Sequence, residues 1–373
     1  MIEISINGLP YKLFESVTLS RSIDNASGSF RIETSSNAPD KFPINRGDVI
    51  SISINGFSKL SGFIEDIDKA GDNESHTIIM VGRDNTCDLI DSTVPDPSKF
   101  IDIEISLKKL AETLISDLGI QMQVEDDSGQ TNIFSIDDPQ AAESGDVAME
   151  YLQSFSRKKQ VFLIPSGDGK LIIFRPGNEV ATTDLIHRCN DNRNNVKSYK
   201  VRQSQQSRYN QYYVRSQDNY GADDNADYST AGTKRTGIVT DDSIRSGRYL
   251  EIVAEESMDD ATCLERAKEE ANIRRARSTS YSCVVAGNVQ ADGTPWDIGQ
   301  TVTVKDEIAS VKGSFIIRSV EYSLSNEAGT QTNIVCAPID AYKVQPLETA
   351  GDKRVSSMPL QSDTPPDQVR PRR

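Results

Sequence analysis

Histidine is almost missing. The 373 residues contain two, His76 and His187, in unrelated contexts. A chain this poor in imidazole has little of the commonest general base and metal ligand. The five cysteines, Cys87, Cys189, Cys263, Cys283 and Cys336, include no CxxC pair and are odd in number. That excludes a disulfide framework and a thiolate zinc site and points to reduced thiols. No apolar run approaches the ~18 residues of a membrane span, so no transmembrane segment and no membrane anchor is expected. Met1 to Pro10 has neither a basic n-region nor an apolar h-region, so no signal peptide is expected. Positive charge is also short: 41 Lys and Arg stand against 56 Asp and Glu, a net −15. Such a surface repels phosphate and argues against nucleic acid or anionic lipid as a partner. G-x-S-x-G, H-E-x-x-H and P-loop motifs are missing as well. What remains is a structural or binding protein with no expected cofactor or metal.

Length implies several domains. Over the first ninety residues apolar and polar side chains alternate: Ile2, Ile4 and Ile6, then Phe30 and Ile32, then Ile50, Ile52 and Ile54, punctuated by Asn7-Gly8 and Asn55-Gly56. This predicts short antiparallel strands joined by tight hairpins, a small barrel or sandwich spanning 1–92. Residues 93–185 change character. Leu107, Leu110, Ala111, Leu114, Ile115 and Leu118 fall on one helical face behind Ser106 as N-cap. A second helix is predicted from about Asp146 to Lys158, followed by a hairpin of Val161–Ile164 and Leu171–Phe174, giving an α+β domain. Strands return at 186–217 and 288–345. Between them, 218–287 reads as an inserted polar loop, a strand and a helix opened by Ser257 and ending at Arg277. The segment 346–373 is polar and proline-rich, the composition of a chain without a core of its own.

Two distant segments share a pattern. Gly47 precedes the strand Val49–Ile54 and Gly62 leads the next. Gly299, three residues after the lone tryptophan Trp296, precedes Thr301–Lys305, and Gly313 leads the next. The glycines lie 252 and 251 residues apart. The spacing predicts two copies of one barrel, 1–92 and 186–217 plus 288–345, with Gly62 and Gly313 at matching places. Trp296 is expected as a core residue at a barrel corner or as a buried contact with a neighbouring subunit. Gly47, Gly62, Trp296, Gly299 and Gly313 are the candidate turn and interface residues. Two similar modules per chain let three chains present six, which bridges three-fold and six-fold symmetry.

These segments, with the helix Leu107–Leu118 and the ending Pro338-Ile339-Asp340-Ala341-Tyr342, resemble the baseplate hub proteins of Mu-like contractile-tailed phages. The resemblance implies a β-rich α+β, multidomain chain. Two tube-like antiparallel β-barrels and two smaller α+β elements would assemble as a trimeric ring with pseudo-six-fold symmetry. It implies a structural, non-enzymatic homotrimer in the virion tail, assembled in the host cytoplasm. The partners implied are a central spike protein, a tail tube or tube-initiator protein, and also tape measure and baseplate wedge proteins. A cell-wall hydrolase and a generic β-barrel binding module are the alternatives. The paired carboxylates Asp126-Asp127, Asp137-Asp138, Asp223-Asp224 and Asp241-Asp242 are expected in solvated loops, and Asp259-Asp260 in a helix's first turn, rather than across a glycosidase cleft.

Overall fold

The computed structural model describes residues 1–35, 42–72, 76–96, 105–128, 142–158, 161–177, 179–189, 192–216, 235–253 and 260–342. The chain divides into two compact units, Met1–Arg208 with Glu270–Pro346, and Tyr209–Glu269 with Leu347–Arg373. The expectations for Asp137-Asp138, Asp223-Asp224, Asp259, the Ser257 cap and the segment 346–373 lie outside the described residues.

The first unit begins with seven strands: β1 (Ile2–Ile6), β2 (Leu9–Tyr11), β3 (Ser16–Ser22), β4 (Ser29–Ser35), β5 (Val49–Ile54), β6 (Phe57–Gly71) and β7 (His76–Asp84). Their period-2 alternation becomes alternating burial, so that Ile50, Ile52 and Ile54 are fully buried. Each such side chain contributes about 1.5–3 kcal/mol by leaving water. Asn7 and Gly8 turn β1 into β2, and Asn55 and Gly56 turn β5 into β6, all four at positive φ. That is the backbone twist a two-residue hairpin requires.

A second domain follows: α1 (Cys87–Asp91), α2 (Leu107–Asp117), β8 (Val124–Asp126), α3 (Ala148–Lys158), β9 (Phe162–Pro165) and β10 (Leu171–Phe174). Ser106 caps α2, its hydroxyl accepting from the Lys109 amide. Leu107, Leu110, Leu114 and Ile115 pack with Leu152 and Phe155 of α3 over the sheet β8-β10-β9. The sequence pattern gave the β9–β10 hairpin; the parallel addition of β8 has no local signal.

The chain then runs through β11 (Leu185–His187) and β12 (Val196–Gln203). The second unit supplies β13 (Gln211–Ser216), β14 (Arg235–Thr240) and β15 (Tyr249–Val253), paired in the order β14-β13-β15. The helix α4 (Asp260–Arg277) starts so close to this sheet that a Cβ on Gly237 would lie 2.2 Å from the Leu264 amide. Four strands finish the first unit: β16 (Thr279–Ala286), β17 (Thr301–Asp306), β18 (Val311–Ser325) and β19 (Gly329–Pro338).

Two expectations change. First, β13 belongs to the inserted sheet and β16 to the large one, the reverse of the split at 217 and 288. Alternation marks a strand, but its partners decide its sheet, and β16 lies between β12 and β19. Second, in place of two closed barrels, the described strands form a 13-stranded sheet along β12-β16-β19-β18-β3-β4-β7-β6-β5-β1-β2, with β17 and β11 off that path. The reason is strand length. The 15-residue β18 outruns the 6-residue β17, and β3 takes the vacated edge. One continuous apolar core runs beneath both halves.

Candidate assembly surface and the junction of the two halves

Both halves use the same strand order, β3-β4-β7-β6-β5 and β12-β16-β19-β18-β17. Their backbone bonds correspond. The Gly47 amide donates to Ile64 O and the Ile64 amide to Asp48 O; the Gly299 amide donates to Ile317 O and the Ile317 amide to Gln300 O. The long strands are both 15 residues. Both carry a bulge at the same point, between Ile64 and Asp66 and between Ile317 and Ser319. Along this hairpin the equivalent residues lie 253 apart, since Ile64 matches Ile317 and Asp66 matches Ser319.

That register corrects the glycine alignment. Gly47 and Gly299 do match, at φ +88° and +82°. Gly62 and Gly313 do not: Gly62 corresponds to Phe315, and Gly313 to Leu60. The two glycines answer different crowding. A Cβ on Gly62 would lie 2.0 Å from Arg83 O, whereas Gly313 has φ +150° and a Cβ there would meet only the Phe315 ring, at 3.9 Å. At Gly299 a Cβ would meet the Phe174 ring at 2.1 Å, so the second domain seats its last strand on this turn.

Trp296 is 2% exposed and lies in the chain's own core. Its carbonyl accepts from the Tyr322 hydroxyl. The next residue, Asp297, is the centre of a polar junction. Arg21 Nη1 of β3 donates to Asp297 Oδ1 at 2.6 Å, and Lys59 Nζ of β6 to Oδ2 at 2.5 Å. Arg21 Nη2 also donates to Pro165 O at 2.8 Å. The side chains of Arg21 and Lys59 are 6% and 9% exposed. Burial pulls the Asp297 carboxyl up, but the charges of Arg21 and Lys59 outweigh it and hold it below the usual carboxylate range. One carboxylate thus ties both halves of the sheet together, and Arg21 ties the second domain to them. Nearby, Ser58 Oγ donates to Gly167 O at 2.7 Å, and a Cβ on Gly167 would overlap Ser58 O at 1.9 Å. The turn at Gly167-Asp168-Gly169 is therefore a backbone contact. Sequence reasoning missed this junction because its members are separated by 276 and 238 residues.

The residues weighed for catalysis are placed as follows. His187 Nδ1 lies 3.1 Å from Asp306 Oδ2, which also accepts from the Tyr281 hydroxyl at 2.8 Å. Asp306 is buried and accepts the Ala309 amide. Asp126 and Asp241 each accept the amide and hydroxyl of the serine two residues on, closing local turns. Asp84 accepts from Gly28 N, Thr86 N and Ser27 Oγ; burial pushes its carboxyl up against the pull of those bonds. Among the described residues no three His, Cys, Asp or Glu side chains group as a metal site. Arg274 pairs with Glu270 one turn back on α4, and Arg277 Nε donates to Ala341 O at 3.2 Å.

Several outer strands have a free edge among the described residues, and two of these edges belong to the repeated part of the large sheet. β12 ends the sheet and is exposed on nearly every residue after Val196. β6 loses its β5 partner after Phe63, leaving 65–71 with one free edge. These edges are the candidate surface for assembly.

Comparisons with known proteins bear on what is assembled. The family model "Mu phage baseplate assembly protein GpP-like, N-terminal" matches residues 1–84, ending with β7. The model "Baseplate hub protein gp44-like, second domain" matches residues 86–175, from α1 through β10. Baseplate hub protein gp44 of Escherichia phage Mu is 23% identical over 359 residues, covering 93% of this chain and 90% of its own. The 43 kDa tail protein of prophage MuSo2 from Shewanella oneidensis superposes with a TM-score of 0.76 at 25% identity, covering 92% of this chain and 99% of its own. A tail protein from Neisseria meningitidis MC58 shares the fold, with a TM-score of 0.75 at 16% identity over 91% of this chain and 97% of its own. These matches together support a structural baseplate hub role of the Mu-like kind for this chain.

Proposed function

We propose that the chain works as a homotrimeric ring at the end of the tail, adapting a six-fold tube to a three-fold central spike. The observation that carries this reading is the duplication. Two halves share strand order, bulge position and the glycine-to-isoleucine hydrogen bonds, so three chains present six near-equivalent modules. Closed rings need such equivalence. The six-fold face would take a tail tube or tube-initiator protein, the three-fold face the spike. Tape measure and wedge proteins are further partners of this reading, and the virion tail is its location. The second domain would then decorate the ring.

The same reading makes the protein non-enzymatic. Asp306 is the shared partner of His187 and the Tyr281 hydroxyl, and the loop carboxylates Asp126 and Asp241 close turns; both arrangements spend acid groups on structure. Light-scattering mass of the purified chain and averaged electron images along its axis test the ring. Three subunits with six similar densities are expected; a monomer at every concentration, with no three-fold density in assembled tails, refutes it. A peptidoglycan zymogram tests the second part: clearing that one Asp or Glu substitution abolishes would overturn it.

A further inference from the structure

The in-chain seam between the halves is a template for a seam between chains. β3 pairs with the second half of β18, Ser22 opposite Ser319, Ser20 opposite Glu321 and Ser16 opposite Ser325. Each strand has a counterpart in the other half. β18 corresponds to β6, as the bulges show. β3 corresponds to β12, because Leu19 faces Phe30, which faces Gly82, while Val201 faces Tyr281, which faces Cys336. Gly82 and Cys336 in turn face the matched Ile64 and Ile317. The counterparts of the seam strands are thus two open edges, β12 and residues 65–71 of β6. They belong to one chain but cannot pair within it, since the in-chain seam lies between them in the strand order.

Resting on the ring reading above, we infer that β12 of one copy pairs antiparallel with the second half of β6 of the next copy, in the register of the internal seam. Arg202 then faces Asp68, Ser204 faces Asp66, Gln203 faces Ile67, Val201 faces Lys69, Lys200 faces Ala70 and Tyr199 faces Gly71. Chemistry favours a second copy as the occupant. On the outer face, Lys200 and Arg202 meet a row containing Asp66, Asp68 and Asp72. In the internal seam the same position already brings side chains together, Ser20 Oγ donating to Glu321 at 3.2 Å. Within the described residues no ion pair engages Asp66, Asp68, Lys200 or Arg202. Opposite charges directly across strands attract, and like charges there repel. The contact is head-to-tail, so it closes into a ring or grows.

Sedimentation of the full-length chain over a concentration series tests this. Asp68→Arg and Arg202→Asp are each expected to raise the concentration for half-assembly about tenfold or more, and the two together to restore it largely. Glu112→Arg, the same charge change on α2, is expected to leave assembly unaltered. A second measurement places the edges: Asp68→Cys with Arg202→Cys, in a Cys189→Ser background, should give intersubunit products with a short bis-maleimide. A normal trimer that neither charge reversal weakens, or that yields no such product, overturns the seam and leaves the ring standing. A wild-type chain that stays monomeric overturns the ring and the seam with it.

Discussion

Replacing Asp297 by asparagine keeps the shape of the junction and removes the carboxylate that Arg21 and Lys59 share. Arg21 and Lys59 then stay buried without the carboxylate that pairs them, only Asp84 still acting on Arg21 through space. Removing one partner of a fully buried ion pair costs about 3–5 kcal/mol. Asp297 keeps 24% of its side-chain exposure, so water screens part of the loss. About 2–3 kcal/mol is the expected destabilisation after that discount. At roughly 2 °C per kcal/mol for a unit of this size, Tm falls by about 5 °C. Urea unfolding should show a lower midpoint with an unchanged slope, the signature of altered stability at constant exposed surface. Acid gives an independent check. The folded-state pKa of Asp297 is depressed, so its stabilisation is complete above the unfolded carboxyl value of about 3.9 and is lost as pH falls through the lower folded value. The variant should therefore lose less stability than the wild type on acidification. Arg21→Met with Lys59→Met and Asp297→Leu removes every charge together and should cost less than Asp297→Asn alone. An Asp297→Asn protein within about 0.5 kcal/mol of wild type would refute the reasoning, because surface-like behaviour is the only way to be that tolerant.

Gly62→Ala drives a Cβ into the Arg83 carbonyl and is expected to cost about 3 kcal/mol, whereas Gly47→Ala, strained only by its φ, should cost about 1–2 kcal/mol by chemical denaturation. Ser106→Ala removes the α2 cap and should lower stability by about 1 kcal/mol. In the native chain Cys189, the exposed thiol, should react with Ellman's reagent at pH 8, while burial, which pushes Cys283 up to about 12, keeps it and the other buried thiols silent until denaturant is added. Ring assembly should strengthen from 0.01 M to 0.15 M salt, as the Debye length falls from ~30 Å to ~8 Å and the repulsion between acidic chains is screened, and weaken again toward 1 M as the seam's ion pairs are screened; a response without that maximum would refute one of the two terms.

Much of the fold was legible because its signals are local. Alternating Ile50, Ile52 and Ile54 demand one buried face, Asn-Gly pairs at positive φ demand hairpins, and Leu107 to Ile115 demand a helix against a core. The illegible part is what sequence distance hides. Nothing near β3 announces that it pairs with β18, and nothing near Trp296 announces Arg21 and Lys59. The sequence repeat predicts two barrels aligned on glycines, whereas the structure holds two halves of like strand order aligned on bulges, because glycines are conspicuous while a β-bulge leaves no residue signature. Gly62 answers the close passage of the Arg83 carbonyl, and the position that corresponds to it holds Phe315.

The bulge also separates the two seams chemically. In the second half the bulged residue is Arg318, and its guanidinium reaches Asp24 in the β3–β4 connection, where the Tyr342 hydroxyl also donates at 3.3 Å. In the first half the bulged residue is Glu65, which turns instead to Arg83 of its own hairpin at 2.5 Å. The internal seam buries Leu19, Val320 and Tyr322 and adds the Arg318 clamp. The matching positions in the proposed intersubunit seam are Val201, Ile67 and Lys69, each of them partly or fully exposed, with no clamp. Apolar burial contributes the larger free energy per pair, and facing charges contribute tenths to about one kcal/mol. On the proposed ring, one strand geometry would therefore serve twice, as a permanent joint within the chain and as a weaker, charge-selected joint between chains that stays open until assembly.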